Sequence, residues 1–312
     1  MGRATWLLIT FIILTIASAT VCAATPNDFN VVIVHTGKTK AVNDYSDSLK
    51  DKLSNAYFQD VDISKYPLPH AKEVDLFVAS GRKALDYLIS KEVSAPILSV
   101  FLSRLSYLES LKLREKINNK QISAIYSDPD PSLLIHLSKI LFPKNTTVAF
   151  VVSDTTEFLR PILEKSAAHF DVDITFSKLT DDHSLYKELN NLSNADVLLA
   201  MPDSRIFNKR SLSNILRSTY RHEQALIGYS KGMVKAGALA SPSYSVKDIV
   251  NESVRFINQY LGNGILPKAT YSQLFDIEIN DRVAKTFNIS LRNPEEIRRR
   301  LRASPILSGD GQ

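Results

Sequence analysis

The residues best suited to chemistry stand in seven short loops, each placed directly after a run of apolar residues. The loops are rich in hydroxyl groups and carry both signs of charge, a combination that suits a small polar or zwitterionic ligand held by hydrogen bonds. They read His35-Thr36-Gly37, Ser80-Gly81-Arg82, Ser103-Arg104, Tyr126-Ser127-Asp128, Ser153-Asp154-Thr155, Pro202-Asp203-Ser204 and Tyr229-Ser230-Lys231.

Signatures of catalysis are missing from these loops. No GxGxxG sequence follows an apolar run, and no GxSxG sequence offers a nucleophilic serine. The glycines at 232 and 237 have the spacing of a phosphate-binding loop, but Ala238 and Leu239 stand where lysine and a hydroxyl residue would be needed. None of the six histidines has the spacing of a metal site. Only His35, at the end of a predicted strand, is a candidate functional residue. We expect no catalytic residue, no metal and no cofactor.

The acidic residues of these loops each have a structural interpretation as well. Asp128 and Asp130 alternate with prolines before a helical pattern, so we interpret them as turn and helix-cap residues. For Asp203 and Asp154, a helix cap and a ligand contact both stay open.

Strand-like runs alternate with helical patterns along the chain, which indicates βα units around parallel sheets. A first series has strands over 29–35, 57–63, 75–80, 96–102 and 121–126, and a second has strands over 147–152, 172–176, 195–200 and 225–229. Two such series predict an α/β fold with two doubly wound, Rossmann-like lobes that face each other across a cleft. Parallel sheets of this type bind ligands at the carboxyl ends of their strands, where the seven loops lie.

The rest of the chain is too short for a third domain. It contains one amphipathic helix over 246–261, an alternating edge strand over 274–279 and a basic helix over 295–302. No low-complexity linker separates the two series, so we expect lobes joined by several crossing strands. The predicted division assigns residues 25–123 and 241–265 to lobe 1, and residues 124–240 and 266–312 to lobe 2.

The N-terminus has the three-part pattern of a secretory signal peptide. A positive start at Arg3 precedes an uncharged stretch over 4–27 with an apolar centre, and small residues follow around Cys22. Cleavage after Ala23 or Ala24 would leave a periplasmic chain without cysteine. Val21 disfavours lipid attachment at Cys22, and an uncleaved membrane anchor remains the alternative.

Composition excludes several classes of protein. The chain has 44% hydrophobic and 23% charged residues, which is typical of soluble globular proteins. Its 38 basic and 33 acidic residues give a net charge of +5 that is spread along the sequence, so no nucleic-acid partner is expected. A single cysteine excludes a disulfide within the chain.

Several blocks of the sequence, in this order, resemble a known family. They are Val74-Asp-Leu-Phe-Val-Ala-Ser-Gly81, Ile122-Ser-Ala-Ile-Tyr-Ser-Asp128 with Leu141-Phe-Pro143, Val148-Ala-Phe-Val-Val152, Ala195-Asp-Val-Leu-Leu-Ala-Met-Pro-Asp203, Gly237-Ala-Leu-Ala240 and 275–284. The chain resembles the ABC-transporter substrate-binding proteins that include tryptophan- and tyrosine-binding members. This resemblance spans residues 30–291 and implies a type I periplasmic-binding-protein fold with a multi-strand hinge.

The resemblance also implies which loops line the cleft. It places Ser80, Gly81, Tyr126, Ser153, Asp154, Asp203, Tyr229 and Ser230 there, with Asp203 positioned to meet a ligand ammonium group. We further expect Arg104 or Arg82 to bind the opposite charge of a zwitterion, and Phe101, Tyr126 or Tyr229 to flank its side chain. The sequence Leu102-Ser103-Arg104 departs from the Ser/Asp/Pro turn usual in the family, and this leaves the ligand class open.

The function implied by the resemblance is that of a non-enzymatic carrier. A monomer would capture a small, amino-acid-like molecule and deliver it to an ABC permease in the inner membrane. Two alternatives stay open, a ligand-sensing module that signals to a membrane receptor or histidine kinase, and an exported α/β enzyme.

Overall fold

The computed structural model describes residues 29–68, 74–112, 121–144, 146–182, 184–289 and 293–303. The predicted signal peptide, including Cys22, lies outside the described residues. Within the described ranges, no helix combines the length and the apolar character that crossing a membrane requires.

Across the part of the chain that the structure describes, twelve strands form two six-stranded sheets. The first sheet has the order β2-β1-β3-β4-β5-β11, and all of its neighbouring strands run parallel. Its strands are β1 (Phe29–His35), β2 (Ala56–Asp62), β3 (Leu76–Ser80), β4 (Ile97–Leu102), β5 (Ile122–Tyr126) and β11 (Thr270–Tyr271). The second sheet has the order β7-β6-β8-β9-β10-β12, in which only β12 is antiparallel to its neighbour. Its strands are β6 (Thr147–Val152), β7 (Asp173–Lys178), β8 (Val197–Leu199), β9 (Ala225–Ile227), β10 (Ala240–Ser243) and β12 (Asp276–Ile279).

Helices connect these strands and cover the sheets. They are α1 (Lys40–Lys52), α2 (Arg82–Ser90), α3 (Arg104–Lys112), α4 (Pro131–Leu141), α5 (Arg160–Phe170), α6 (Leu185–Asn191), α7 (Leu212–Arg221), α8 (Lys231–Ala236), α9 (Val246–Asn263), α10 (Asp281–Thr286) and α11 (Pro294–Ala303). A 3₁₀ turn over Glu157–Leu159 leads into α5, whose first turn contains Pro161. Proline is tolerated there because the first-turn amides have no helical acceptor.

The central strands of each sheet are buried on both faces, which explains why they are apolar runs, whereas the edge strands β2 and β7 keep exposed residues. In β1, Val32 and Val34 pack into one cluster beneath α2, while Val31 and Ile33 pack into another with α1 and α9. The second sheet likewise has a cluster on each face. The predicted α/β fold of two lobes is confirmed.

Among the described residues, the chain crosses between the lobes through three short segments, residues 127–130, 244–245 and 272–275. The predicted division at 123/124 would cut β5, whose whole length belongs to the first sheet. Likewise β10 belongs to the second sheet and β11 to the first, and neither strand was expected from the sequence. Both are short, so their apolar periodicity is too brief to detect.

Candidate functional site

Both sheets contain a topological switch point, where the chain order reverses between neighbouring strands. In the first sheet it lies between β1 and β3, and in the second it lies between β6 and β8. Loops that leave the two strands in opposite directions open a crevice at their carboxyl ends, which is the usual ligand position in such sheets. The predicted loops at His35, Ser80, Ser153 and Asp203 occupy these two points.

In lobe 2, Asp203 is the centre of a buried hydrogen-bond network. Its carboxylate accepts hydrogen bonds from Ser153 Oγ at 2.5 Å, Thr156 Oγ1 at 3.0 Å and the Arg205 amide at 2.9 Å. The Asp203 side chain is only 4% exposed. These donors are hydroxyl and amide groups, so none of these hydrogen bonds comes from a charged side chain.

Of the two roles that the sequence left open for Asp203, the structure shows the cap. Asp203 caps the turn that follows it, because its side chain accepts from Arg205 N and its carbonyl accepts from the amides of Ile206 and Phe207. Its position at the switch point is also the one expected for a ligand contact, which stays a prediction.

Burial and then the negative charge of Asp203 raise the pKa of the Tyr229 hydroxyl. Its ring packs edge-on against Phe207 at 6.2 Å. The neighbouring Ser230 caps α8 by accepting from Met233 N at 3.4 Å, so its hydroxyl has a local partner.

Asp154 lies apart from the network although it follows Ser153 directly. The side chain is 67% exposed and forms ion pairs with Lys178 at 2.9 Å and Arg205 at 3.9 Å. The hydrogen bond from Lys178 holds the pKa of the Asp154 carboxyl below its usual range. The structure thus separates the two acidic residues that the sequence treated alike.

The switch point of lobe 1 contains His35, a side chain that is only 1% exposed. Its Nδ1 accepts a hydrogen bond from Gly37 N at 3.2 Å, which assigns the ring proton to Nε2. Nε2 has no hydrogen-bond partner among the described residues. Burial lowers the pKa of His35, so the ring is neutral near pH 7.

Backbone geometry shapes the rest of this edge. Gly81 has φ +83° where the chain turns from Ser80 into α2, and its amide still donates to Val100 O of β4 at 2.8 Å. The following Arg82 points to carboxylates of α2 and α3, with Asp86 at 3.4 Å and Glu109 closer.

Two further predicted residues lie at the end of β4. Phe101 has φ +57°, and its half-buried ring packs edge-on against Tyr45 at 5.3 Å. Ser103 accepts a hydrogen bond from Ser106 N at 3.1 Å and so closes the first turn of α3. Their ligand contacts remain predictions.

Arg104 and Tyr126 belong to an aromatic group near the crossing segments. The Tyr126 ring is buried between Tyr107 at 5.6 Å and Tyr271 at 5.0 Å. The Arg104 guanidinium lies 5.8 Å from the ring centre of Tyr271 and 5.5 Å from that of Phe158. Phe158 and Tyr271 were not singled out in the sequence, because nothing local indicates that they meet.

The two aspartates interpreted as caps have different roles. Asp130 caps α4, with Ser132 N donating to it at 2.8 Å, as predicted. Asp128 instead accepts a hydrogen bond from Arg104 N at 2.8 Å. It therefore provides the acceptor for an amide in the first turn of α3, although it lies in a distant segment of the chain. Burial raises the pKa of Asp128 to about 7.

Thr156 is the site residue that sequence reasoning missed. The signal that could have found it is the run of hydroxyl residues Ser153, Thr155 and Thr156 directly after β6. In the part of the chain that the structure describes, no group of three or more His, Cys, Asp or Glu side chains is arranged to hold a metal ion.

Solved structures of solute-binding proteins have a similar fold. A ligand-free, open substrate-binding protein with adhesive properties from Clostridium difficile is 15% identical, covers 85% of this chain and 96% of its own, and has a TM-score of 0.61. An ABC domain from Streptococcus pneumonia in complex with L-Trp is 13% identical, with coverages of 85% and 96% and a TM-score of 0.54. A periplasmic ribose ABC transporter protein from Conexibacter woesei is 12% identical, with coverages of 85% and 96% and a TM-score of 0.52.

No protein-family model and no curated protein sequence matches the chain. The structural likenesses nevertheless show that it has the type I periplasmic-binding-protein fold, as the sequence blocks implied.

Proposed function

We propose that this protein is an exported, non-enzymatic solute-binding protein, which captures a small polar ligand between its lobes for an ABC importer. The observation that carries the proposal is the buried Asp203 network at the switch point of lobe 2. A carboxylate already desolvated by the protein binds a donor from the ligand more strongly than an exposed one, since little further water has to be removed.

The ligand that we propose is amino-acid-like, with its ammonium group on Asp203. The ligand named for the Streptococcus pneumonia structure, L-Trp, supports this class, while the Conexibacter woesei structure is named for ribose. Sugar hydroxyls can also donate to a carboxylate, so the experiment must contain both classes.

Mass spectrometry of the ligand released from freshly purified protein tests the proposal. The protein is then unfolded, dialysed and refolded, and its thermal midpoint is measured with panels of amino acids and of monosaccharides. A raised midpoint with amino acids supports the full proposal, because a ligand that binds only the folded state stabilises it. A response to sugars alone keeps the solute-binding role and overturns the amino-acid class. The binding role is overturned if no ligand is released and the thermal midpoint responds to neither panel.

A matched pair of variants tests the role of Asp203 by calorimetry with the identified ligand. Asp203→Asn keeps the shape and the hydrogen-bond acceptor but removes the charge, and we expect affinity to fall about tenfold to a hundredfold. Asp154→Asn changes the same group at the exposed neighbouring carboxylate and should alter affinity less than about twofold. Equal affinities for Asp203→Asn and the unchanged protein would remove the ammonium role.

A further inference from the structure

Arg104 lies where the two lobes meet. It is the first residue of α3 in lobe 1, yet its guanidinium carbon lies 5.5 Å from the ring centre of Phe158, on the 3₁₀ turn of lobe 2. On its own side it lies 5.8 Å from the ring centre of Tyr271, the last residue of β11. One cation therefore contacts an aromatic ring from each lobe, at distances typical of cation–π pairs.

The base of this side chain is fixed to the hinge. Arg104 N donates to the buried carboxyl group of Asp128 at 2.8 Å, and Asp128 belongs to the crossing segment 127–130. The charges of Asp128 and Arg104 also attract each other. Tyr271 is buried in the apolar cluster of lobe 1, whereas Phe158 packs against the apolar cluster of lobe 2.

These attachments make the contact between Arg104 and Phe158 dependent on the angle between the lobes. A rotation about the crossing segments moves Phe158 with lobe 2, while Tyr271 remains with Arg104 in lobe 1. The pair from the two lobes is thus formed at one lobe angle and separated at another. A contact made in only one of two conformations shifts the population towards that conformation.

We propose that Arg104 is an interlobe latch, which holds the lobes at the observed angle through Phe158, and is not the residue that binds an anionic group of the ligand. The proposal rests on the proposed function in so far as the lobe angle controls access to the cleft. It assigns a role to the loop Leu102-Ser103-Arg104, which departs from the pattern of the family that the chain resembles.

The test measures the lobe angle without any ligand. Spin labels are attached through Ser90→Cys in lobe 1 and Ser213→Cys in lobe 2, both exposed positions, in a Cys22→Ser background. Protein refolded after removal of bound molecules is then examined by electron–electron double resonance. Phe158→Leu keeps an apolar side chain but removes the aromatic face, and Arg104→Met keeps the length but removes the charge. For both variants, we expect fewer molecules to have the label-to-label distance of the observed lobe angle. Their population should fall about twofold to fivefold relative to molecules with other distances.

Phe176→Leu is the matched control. Arg160 lies 4.3 Å from the Phe176 ring centre, but both residues belong to lobe 2. Loss of that pair should leave the distance distribution unchanged.

Distance distributions that are identical in Phe158→Leu and in the unchanged protein would overturn the latch. So would an Arg104→Met variant that loses ligand binding while its lobe distances stay the same, because this result assigns Arg104 to the ligand. If no solute binds at all, the distances are still measurable, so failure of the latch and failure of the proposed function are distinguished.

Discussion

The two lobes share one strand order, but the carboxyl edges of their sheets are built in different ways. In lobe 2, the edge is organised by side chains, because Asp203 connects the loops after β6 and β8 through Ser153 and Thr156. In lobe 1, the edge is organised by backbone conformation, with positive φ angles at Gly37, Gly81 and Phe101.

This difference shows that one topology leaves the chemistry of its switch point open. In lobe 2, hydroxyl donors hold the Asp203 carboxyl group in place without a ligand; under the proposed function, this would lower the cost of organising the site on binding. In lobe 1, the buried His35 ends β1 at this edge, and glycines with positive φ follow at positions 37 and 81. The same comparison predicts where stability is most sensitive. Loss of a polar side chain should destabilise the edge of lobe 2 most, and replacement of a glycine with positive φ should destabilise the edge of lobe 1 most.

The largest expected effect is the loss of the Asp203 carboxylate. Asp203→Ala removes the buried carboxylate that accepts hydrogen bonds from Ser153 Oγ, Thr156 Oγ1 and Arg205 N. We expect the free energy of unfolding to fall by about 2–4 kcal/mol in ligand-free protein, measured by urea unfolding. Asp154→Ala, at an exposed ion pair, should change it by less than ~1 kcal/mol. Similar losses in the two variants would contradict a side-chain-organised edge.

A second effect concerns Asp128, the buried carboxyl group at the hinge. Burial raises its pKa from 3.8 to about 7, so the folded protein binds a proton that the unfolded chain has lost between these values. The free energy of unfolding should therefore decrease as pH rises from about 4 to about 7, and this contribution is constant above pH 7. Asp128→Asn stays neutral and keeps an acceptor for Arg104 N, so it should be more stable than the unchanged protein by about 1–3 kcal/mol at pH 8.

Urea unfolding of both proteins at pH 4.5 and pH 8 checks this prediction, with the advantage of the variant expected to shrink at the lower pH. An advantage that is the same at both pH values would show that Asp128 has an ordinary pKa.

The smallest effect tests the backbone-organised edge of lobe 1. Gly81→Ala places a Cβ where the nearest atom is Phe101 O at 3.9 Å, so space is available, but φ is +83°. The expected cost is about 1–2 kcal/mol, because this φ together with ψ 167° is a conformation that is essentially restricted to glycine. Gly262→Ala lies in α9 with no atom within 4 Å of the added Cβ and should instead stabilise the protein by up to ~1 kcal/mol. Thermal unfolding of both variants measures this contrast. Equal shifts of their thermal midpoints would show that a side chain at position 81 does not strain the backbone.

Sequence reasoning performed best for long apolar runs. The strand at 29–35 has the predicted bounds, and the strands at 57–63 and 147–152 differ from the structure by one residue or less. Strands buried on both faces, such as β6, leave this pattern because nearly every residue is apolar. The edge strand β2 instead has partly exposed positions over most of its length. The two- to four-residue strands β10 and β11 leave no such pattern, and the lobe boundaries that depend on them were displaced for that reason.

The candidate site was predictable only as a set of loops. The sequence placed Ser153, Asp154 and Asp203 after strands, but it could not distinguish the buried Asp203 from the exposed Asp154. Burial depends on which loops the sheet order brings together, and residues 153 and 203 become neighbours only because β6 pairs with β8.

By itself, the sequence determined the two series of βα units and the polar loops that follow their strands, because apolar periodicity and loop chemistry are local properties. The tertiary structure decided which of those loops share a switch point, that Asp128 completes the first turn of α3, and that Arg104 lies between rings of the two lobes. These contacts join residues that lie 24 or more positions apart, and only strand order and the crossing of the chain between the sheets bring such residues together.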